Sequence, residues 1–103
     1  MGTTKKPEDC ENIQDIRNAI DLIDQDIIRL FASRDAYVRE IVKFKSGEKG
    51  IIAQERKDHV LRQRKAWAAE MGLDPGLFEK IFGLVIEKNI QIQFDLYNSN
   101  NQQ

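Results

Sequence analysis

NIQDIRNAIDLIDQDIIRLFASRDAYVREIVKFK, residues 12–45, has a nearly unbroken series of apolar side chains at every third or fourth position. This spacing is typical of one face of an α-helix. The segment contains no proline or glycine that would interrupt a helix. We therefore predict one long helix with these inward-facing positions: Ile13, Ile16, Ile20, Ile23, Ile27, Leu30, Arg34, Tyr37, Ile41 and Phe44.

A helix of this length is too long to bury its whole apolar face within its own chain. At ~1.5 Å per residue it would extend roughly 50 Å, whereas a compact chain of this size is about 30–35 Å across. The pattern therefore predicts a partner chain. Arg34 interrupts the apolar series, and a buried guanidinium without a counter-charge costs several kcal/mol. We expect an anionic group to meet Arg34.

The composition limits the possible classes of function. The 103 residues carry a net charge of −1, which does not favour nucleic-acid binding, and 41% are hydrophobic, which suits one small domain stabilised as an oligomer. The single cysteine, Cys10, excludes an internal disulfide and fits the cytoplasm. No apolar run approaches the ~18–20 residues of a membrane helix. We expect a single cytoplasmic domain, 1–103, that does not bind membranes, with disordered tails at 1–7 and 98–103.

Two further helices are predicted after the long one. The second covers Ala53 to Met71 and stops at Gly72, and the third begins at Pro75 behind the N-cap Asp74 and ends near residue 97. The predicted fold is all-α, with one long N-terminal helix and two shorter ones. Residues 46–52, SGEKGII, form a loop that is either a plain connector or a mobile flap over a site.

Several kinds of catalytic chemistry have no candidate residues. His59 lies in a polar stretch typical of a surface residue, and Cys10 has no histidine near it in sequence. Neither metal-ligand spacing nor a glycine-rich phosphate loop is present. An enzyme with this sequence would work without a covalent nucleophile, a metal or a cofactor.

Cationic side chains are the candidates for binding an anion. Arg34 and Lys45, eleven residues apart, lie within ~20° on the helix surface and ~16 Å along its axis, so long side chains could bracket a small dianion. Arg56 and Lys57 lie in the first turn of the second helix, where cations are unfavourable unless an anion binds. A solvated helix start is the alternative interpretation for this pair.

Arg17 cannot share a pocket with Arg34 of its own helix, since the two lie ~25 Å apart along the axis. In an antiparallel pair of long helices, however, Arg17 of one chain could approach Arg34 or Lys45 of the other. The alternative is a surface pair with Asp21, four residues on.

Asn89 and Gln93 bring donors and acceptors to an apolar helix face. They either line a pocket or form a polar patch that fixes helix register. Together with the cations, they suit a small carboxylate-rich ligand whose reaction needs charge stabilisation more than proton transfer.

These residues resemble the all-α chorismate mutase family over about residues 7–96. The resemblance is carried by DIRNAIDLIDQDIIRLFASR at 15–34, FK at 44–45, QER at 54–56 and IEKNIQIQ at 86–93. It implies an intertwined helical homodimer with two equivalent sites, each completed by an arginine of the neighbouring chain.

The resemblance also implies roles for individual residues. The substrate's two carboxylates would be held by Arg17 of the partner chain together with Arg34 and Arg56, and Asn89 would join the substrate-binding set. Lys45 and Gln93 would hydrogen-bond the ether oxygen whose bond to carbon breaks. The family's pericyclic chemistry needs a compact substrate conformer and stabilised charge, without nucleophile, metal or base.

Two positions depart from typical mutases, because Ala53 and Lys57 stand where acidic residues are usual. A cation at residue 57 cannot accept a hydrogen bond from the substrate's ring hydroxyl. The PEDC and DIR segments and the FK followed by a short loop look more similar to the isochorismate-pyruvate lyases, which make salicylate and pyruvate. Chorismate mutase activity and a non-catalytic helical regulatory module are the alternatives.

Overall fold

A computed structural model describes residues 5–101. Its elements are a 3₁₀ helix at Pro7–Asp9, α1 at Ile13–Ile41, a second 3₁₀ helix at Val42–Phe44, α2 at Gly47–Ile52, α3 at Gln54–Glu70 and α4 at Pro75–Asn101. No strand occurs between residues 5 and 101. The predicted all-α fold with three main helices is confirmed, although α4, with 27 residues, is nearly as long as α1, with 29.

A network of short polar contacts fixes the start of α1. The Asn12 Oδ1 atom accepts the Asp15 backbone N–H at 2.9 Å, which satisfies one of the free donors in the first turn. The Asp15 carboxylate accepts the Glu11 backbone N–H at 3.1 Å and the Lys5 ammonium at 3.0 Å. These contacts connect Lys5 to the start of α1, and residues 1–4 lie outside the described part of the chain; the expectation of a disordered tail at 1–7 stays a prediction.

The apolar face of α1 remains open to solvent in this single chain. None of its residues is buried, and the exposed fraction is 46% for Ile16 and 67% for Leu30. Phe44, beyond the end of α1, is 84% exposed. A row of large apolar side chains at this exposure is unusual for an isolated helix surface and is typical of a protein interface.

The chain divides into two compact units, one ending at Tyr37 and the other beginning at Val38. In the second unit α3 packs against α4, and so do α2 and the Val42–Phe44 3₁₀ helix. The buried side chains of this unit are Val42, Ile51, Val60, Ala68, Ile86, Asn89 and Gln93. Complete burial of an aliphatic side chain such as valine or isoleucine contributes about 1.5–3 kcal/mol. The prediction of one domain over 1–103 stays a prediction.

The turn between α3 and α4 follows the sequence prediction. Gly72 has a φ of 75°, and its N–H bonds to the Ala69 carbonyl while the Leu73 N–H bonds to the Ala68 carbonyl at 2.8 Å. This is the Schellman arrangement, in which glycine adopts the left-handed conformation at low cost. Asp74 then caps α4, since its Oδ1 atom accepts the Gly76 N–H at 2.9 Å.

Two segments differ from the sequence prediction. Residues 46–52 are not an irregular loop, because Gly47–Ile52 form α2, whose Ile51 is only 3% exposed. Packing against α4 therefore outweighs the low helix propensity of two glycines. The last helix, α4, ends at Asn101 rather than near residue 97, since each added residue of an existing helix gains one hydrogen bond. The expectation of a disordered tail at 98–103 stays a prediction. Residues 102–103 lie outside the described range.

No helix in residues 5–101 is long and apolar enough to cross a membrane.

Candidate active site

Lys45 follows the Val42–Phe44 3₁₀ helix, where the backbone changes from helical to extended, with φ −96° and ψ 140°. Its half-buried side chain reaches α2, five residues further along the chain, where the ammonium Nζ donates to the carbonyl oxygen of Gly50 at 2.7 Å. The contact joins the end of the 3₁₀ helix to α2. Both of these elements pack against α4. Lys45 is thus a cation held in one place rather than a freely moving surface lysine.

Asn89 and Gln93 lie one turn apart on α4 and are both buried, with exposed fractions of 9% and 8%. No donor within residues 5–101 reaches the Oε1 atom of Gln93. A buried acceptor without a partner costs about 1–3 kcal/mol, and such a group in a native fold is often completed by a ligand or water. Gln93 is therefore the strongest single indication of a binding site in the second unit.

Arg56 is exposed in the first turn of α3. Its side chain lines an open depression at the junction of α2 and α3, whose walls are Lys49, Ile52, Ala53, Gln54, Glu55 and Arg56. The neighbouring Lys57, which departs from the acidic residue usual in typical mutases, is half-buried. Two cations and one carboxylate in the depression leave a local excess of positive charge.

Arg17 and Arg34 belong to the first unit. Arg17 is exposed and, within the described residues, forms no ion pair with Asp21, so the surface pair considered above is absent. Arg34 is half-buried. Of the predicted site residues, the structure places Lys45, Arg56, Asn89 and Gln93 in the second unit and the two α1 arginines in the first.

The carbonyl of Gly50 is the polar group of this region that sequence reasoning did not find. A backbone atom has no sequence signature, and the segment was expected to be a loop. His59 is exposed, as predicted. Across residues 5–101 there is no group of three or more His, Cys, Asp or Glu side chains that could hold a metal ion.

The helical fold and this set of polar groups agree with the family comparison. The profile of the family described as chorismate mutase type II matches residues 16–94, and the chain belongs to that family. The match includes every predicted site residue.

Two characterised relatives are similar over most of their length. The isochorismate pyruvate lyase of Pseudomonas aeruginosa is 44% identical over 82 residues, which is 80% of this chain and 81% of that protein. The chorismate mutase of Methanocaldococcus jannaschii is 29% identical over 85 residues, which is 81% of this chain and 85% of that protein.

Proposed function

We propose that this protein is an isochorismate-pyruvate lyase, which converts isochorismate to salicylate and pyruvate without a cofactor. The observation that carries the proposal is the 44% identity with a relative named for this reaction. The buried, unpartnered carboxamide oxygen of Gln93 supports it, because it marks a site that an outside polar group would complete.

The reaction breaks the bond between a ring carbon and the ether oxygen while a ring hydrogen moves to the enolpyruvyl methylene. No proton leaves the substrate, so no base is needed. Negative charge grows on the ether oxygen as its bond breaks. In this proposal, the Lys45 ammonium and the Gln93 side-chain N–H stabilise that charge through hydrogen bonds that strengthen in the transition state.

The substrate's two carboxylates are held by Arg34 and Arg56 and by Arg17 of a partner chain, and Asn89 contributes a further polar contact. Bidentate guanidinium contacts fix a carboxylate in position and direction, which favours one compact conformer. The structure supports the accessibility of Arg17, which is exposed and has no ion pair with Asp21 in the described part of the chain.

The partner in this proposal is a second copy of the chain, which gives a homodimer with two sites. The exposed apolar face of α1 supports this assembly, since pairing two such helices would remove many isoleucine side chains from water. We place the dimer in the cytoplasm. This reducing compartment disfavours disulfides, and a chain with one cysteine forms no internal disulfide.

Chorismate mutase activity is the second candidate function. It is favoured by the 29% identity with the mutase of M. jannaschii. The side chain of Lys57 opposes it, because a lysine ammonium cannot accept the hydrogen bond of a ring hydroxyl. The two activities would share one site and differ in rate.

The test is incubation of the purified protein with isochorismate and, separately, with chorismate. Salicylate is followed by its fluorescence and prephenate by its acid conversion to phenylpyruvate. We expect efficient salicylate formation and slower prephenate formation. The reverse preference would assign the protein as a mutase. Absence of both products would leave a non-catalytic helical module, which overturns the enzyme proposal.

A further inference from the structure

The carbonyl of Gly50 lies near the C-terminal end of α2, where helix carbonyls have no intrahelical partner. In a continuous helix this carbonyl would accept the N–H of residue 54. Here the chain turns at Ala53, which has a left-handed conformation with φ 42° and ψ 61°, and α3 begins afresh at Gln54. The Ala53 N–H bonds to the carbonyl of Lys49. The Lys45 ammonium occupies the position that a backbone donor would otherwise take at Gly50.

Two carbon atoms of the Lys45 side chain lie beside Gly50. A Cβ atom added to Gly50 would lie 3.8 Å from Lys45 Cδ and 4.0 Å from Lys45 Cβ, which is ordinary van der Waals contact. The aliphatic part of Lys45 therefore packs on the glycine while its ammonium binds the glycine carbonyl. Both contacts are made to a residue of α2.

We infer that Gly50 is a positioning residue for Lys45 and that α2 is the element that aims the ammonium at the substrate. The inference rests on the proposed function, in which Lys45 binds the ether oxygen. An ammonium has three N–H donors, and the Gly50 carbonyl takes one of them. This contact fixes the direction of the remaining two before the substrate arrives. Such preorganisation increases stabilisation of the developing charge without strengthening substrate binding equally.

The sharpest test weakens this one carbonyl as an acceptor. In a chemically synthesised chain, an ester replaces the peptide bond between Gly50 and Ile51, since an ester carbonyl is a poorer acceptor than an amide. The matched control places the ester between Ile51 and Ile52. Each variant loses one α2 N–H, but only the first weakens the Gly50 carbonyl.

We expect the first ester to lower kcat about tenfold or more with little change in KM. A small displacement of the Lys45 ammonium from its position at the substrate is enough for a rate loss of this size. The control ester should stay within about twofold of its parent, since it leaves the positioning contact intact. In a Lys45→Ala background the first ester should have no further effect. Equal effects of both esters, or an effect that persists without Lys45, would overturn the inference.

A second pair of variants covers the case in which an ester chain does not fold. The branched side chain of Gly50→Val should displace the lysine and lower kcat at unchanged KM. Glu48→Val places the same branched side chain at an exposed position of α2, so it should retain kcat. Equal kcat values for these variants would overturn the inference. A wild-type protein inactive on isochorismate would instead refute the proposed function.

Discussion

The guanidinium carbon of Arg64 lies 4.6 Å from the ring centroid of Trp67 and, across the helix interface, 5.8 Å from that of Phe82. Arg64 and Trp67 belong to α3 and Phe82 to α4. The cation thus contacts aromatic rings on both helices, which favours this packing through cation–π attraction and burial of the arginine stem.

Arg64→Ala is expected to lower the free energy of unfolding by about 1–2 kcal/mol, because it removes both ring contacts. Urea denaturation at fixed protein concentration measures the change. Arg62→Ala, at an exposed position on the same helix, is the control and should change stability by less than about 0.5 kcal/mol. An equal loss of unfolding free energy in the two variants would mean that the contacts of Arg64 with the two rings do not stabilise the fold.

Protonation of Asp15 is expected to weaken the start of α1 at acid pH. The Glu11 backbone N–H and, next, the Lys5 ammonium lower the pKa of this carboxyl below its ordinary value of 3.8. Its stabilising effect is therefore complete above that ordinary value and is lost as the pH falls through the lower folded-state pKa.

Asp15→Asn should consequently reduce stability at pH 7 and make progressively less difference as the pH falls from 3.8 through the lower folded-state pKa, because the wild-type carboxyl then becomes protonated. Melting temperatures of both proteins over this pH range measure the effect. Asp21→Asn, exposed on the same helix, serves as the control. A stability loss for Asp15→Asn that does not shrink as the pH falls would exclude the carboxylate as its cause.

The local signals in the sequence predict the ends of the helices well, because they depend on near neighbours. Gly72 adopts positive φ after α3, and Asp74 caps α4, as their positions in the sequence indicate. The helix α2 was missed for the opposite reason. Its two glycines suggest a loop, and its stability comes from packing against α4, including burial of Ile51, which no short window of sequence contains.

The sequence predicts side chains of the candidate site but not its backbone groups. The sequence predicts Lys45 as an anion-binding cation and Gln93 as a polar residue on an apolar helix face; in the structure Lys45 bonds to the Gly50 carbonyl and Gln93 is buried. The sequence could not indicate the Gly50 carbonyl, since it depends on where a helix ends. The pairing of Arg17 with a second chain stays a prediction that rests on helix length and the family resemblance.

The left-handed backbone of Ala53 is expected to store strain. A residue with a Cβ atom pays roughly 1–2 kcal/mol in this conformation, whereas glycine adopts it freely but loses about 0.4–1 kcal/mol through a more flexible unfolded chain. Ala53→Gly should therefore stabilise the fold by up to about 1.5 kcal/mol. Ala66→Gly, exposed within α3, should instead destabilise it by about 1 kcal/mol. Two changes of the same sign in chemical denaturation would contradict the argument.

Lys45→Ala should lower the rate of salicylate formation by about 10²-fold or more, the scale of losing one donor to a developing oxyanion. Steady-state kinetics with isochorismate measures the loss. Lys43→Ala is the matched control, since Lys43 is exposed and paired with Glu40 at 2.7 Å. A Lys45→Ala rate equal to that of the control would show that the ether oxygen is not held by Lys45.

Mixing two inactive variants tests whether Arg17 serves the site of the neighbouring chain. In the proposed homodimer each site combines Lys45 of one chain with Arg17 of the other, so an Arg17→Ala chain paired with a Lys45→Ala chain restores one intact site. The second site of that heterodimer carries both defects. Random pairing after joint refolding makes half of the dimers heterodimers, and activity should return to about a quarter of the wild-type value. If Arg17 instead served the site of its own chain, no combination would contain an intact site, and the mixture would stay as inactive as its components. Each variant refolded alone gives the baseline, and light scattering verifies that the dimers have formed.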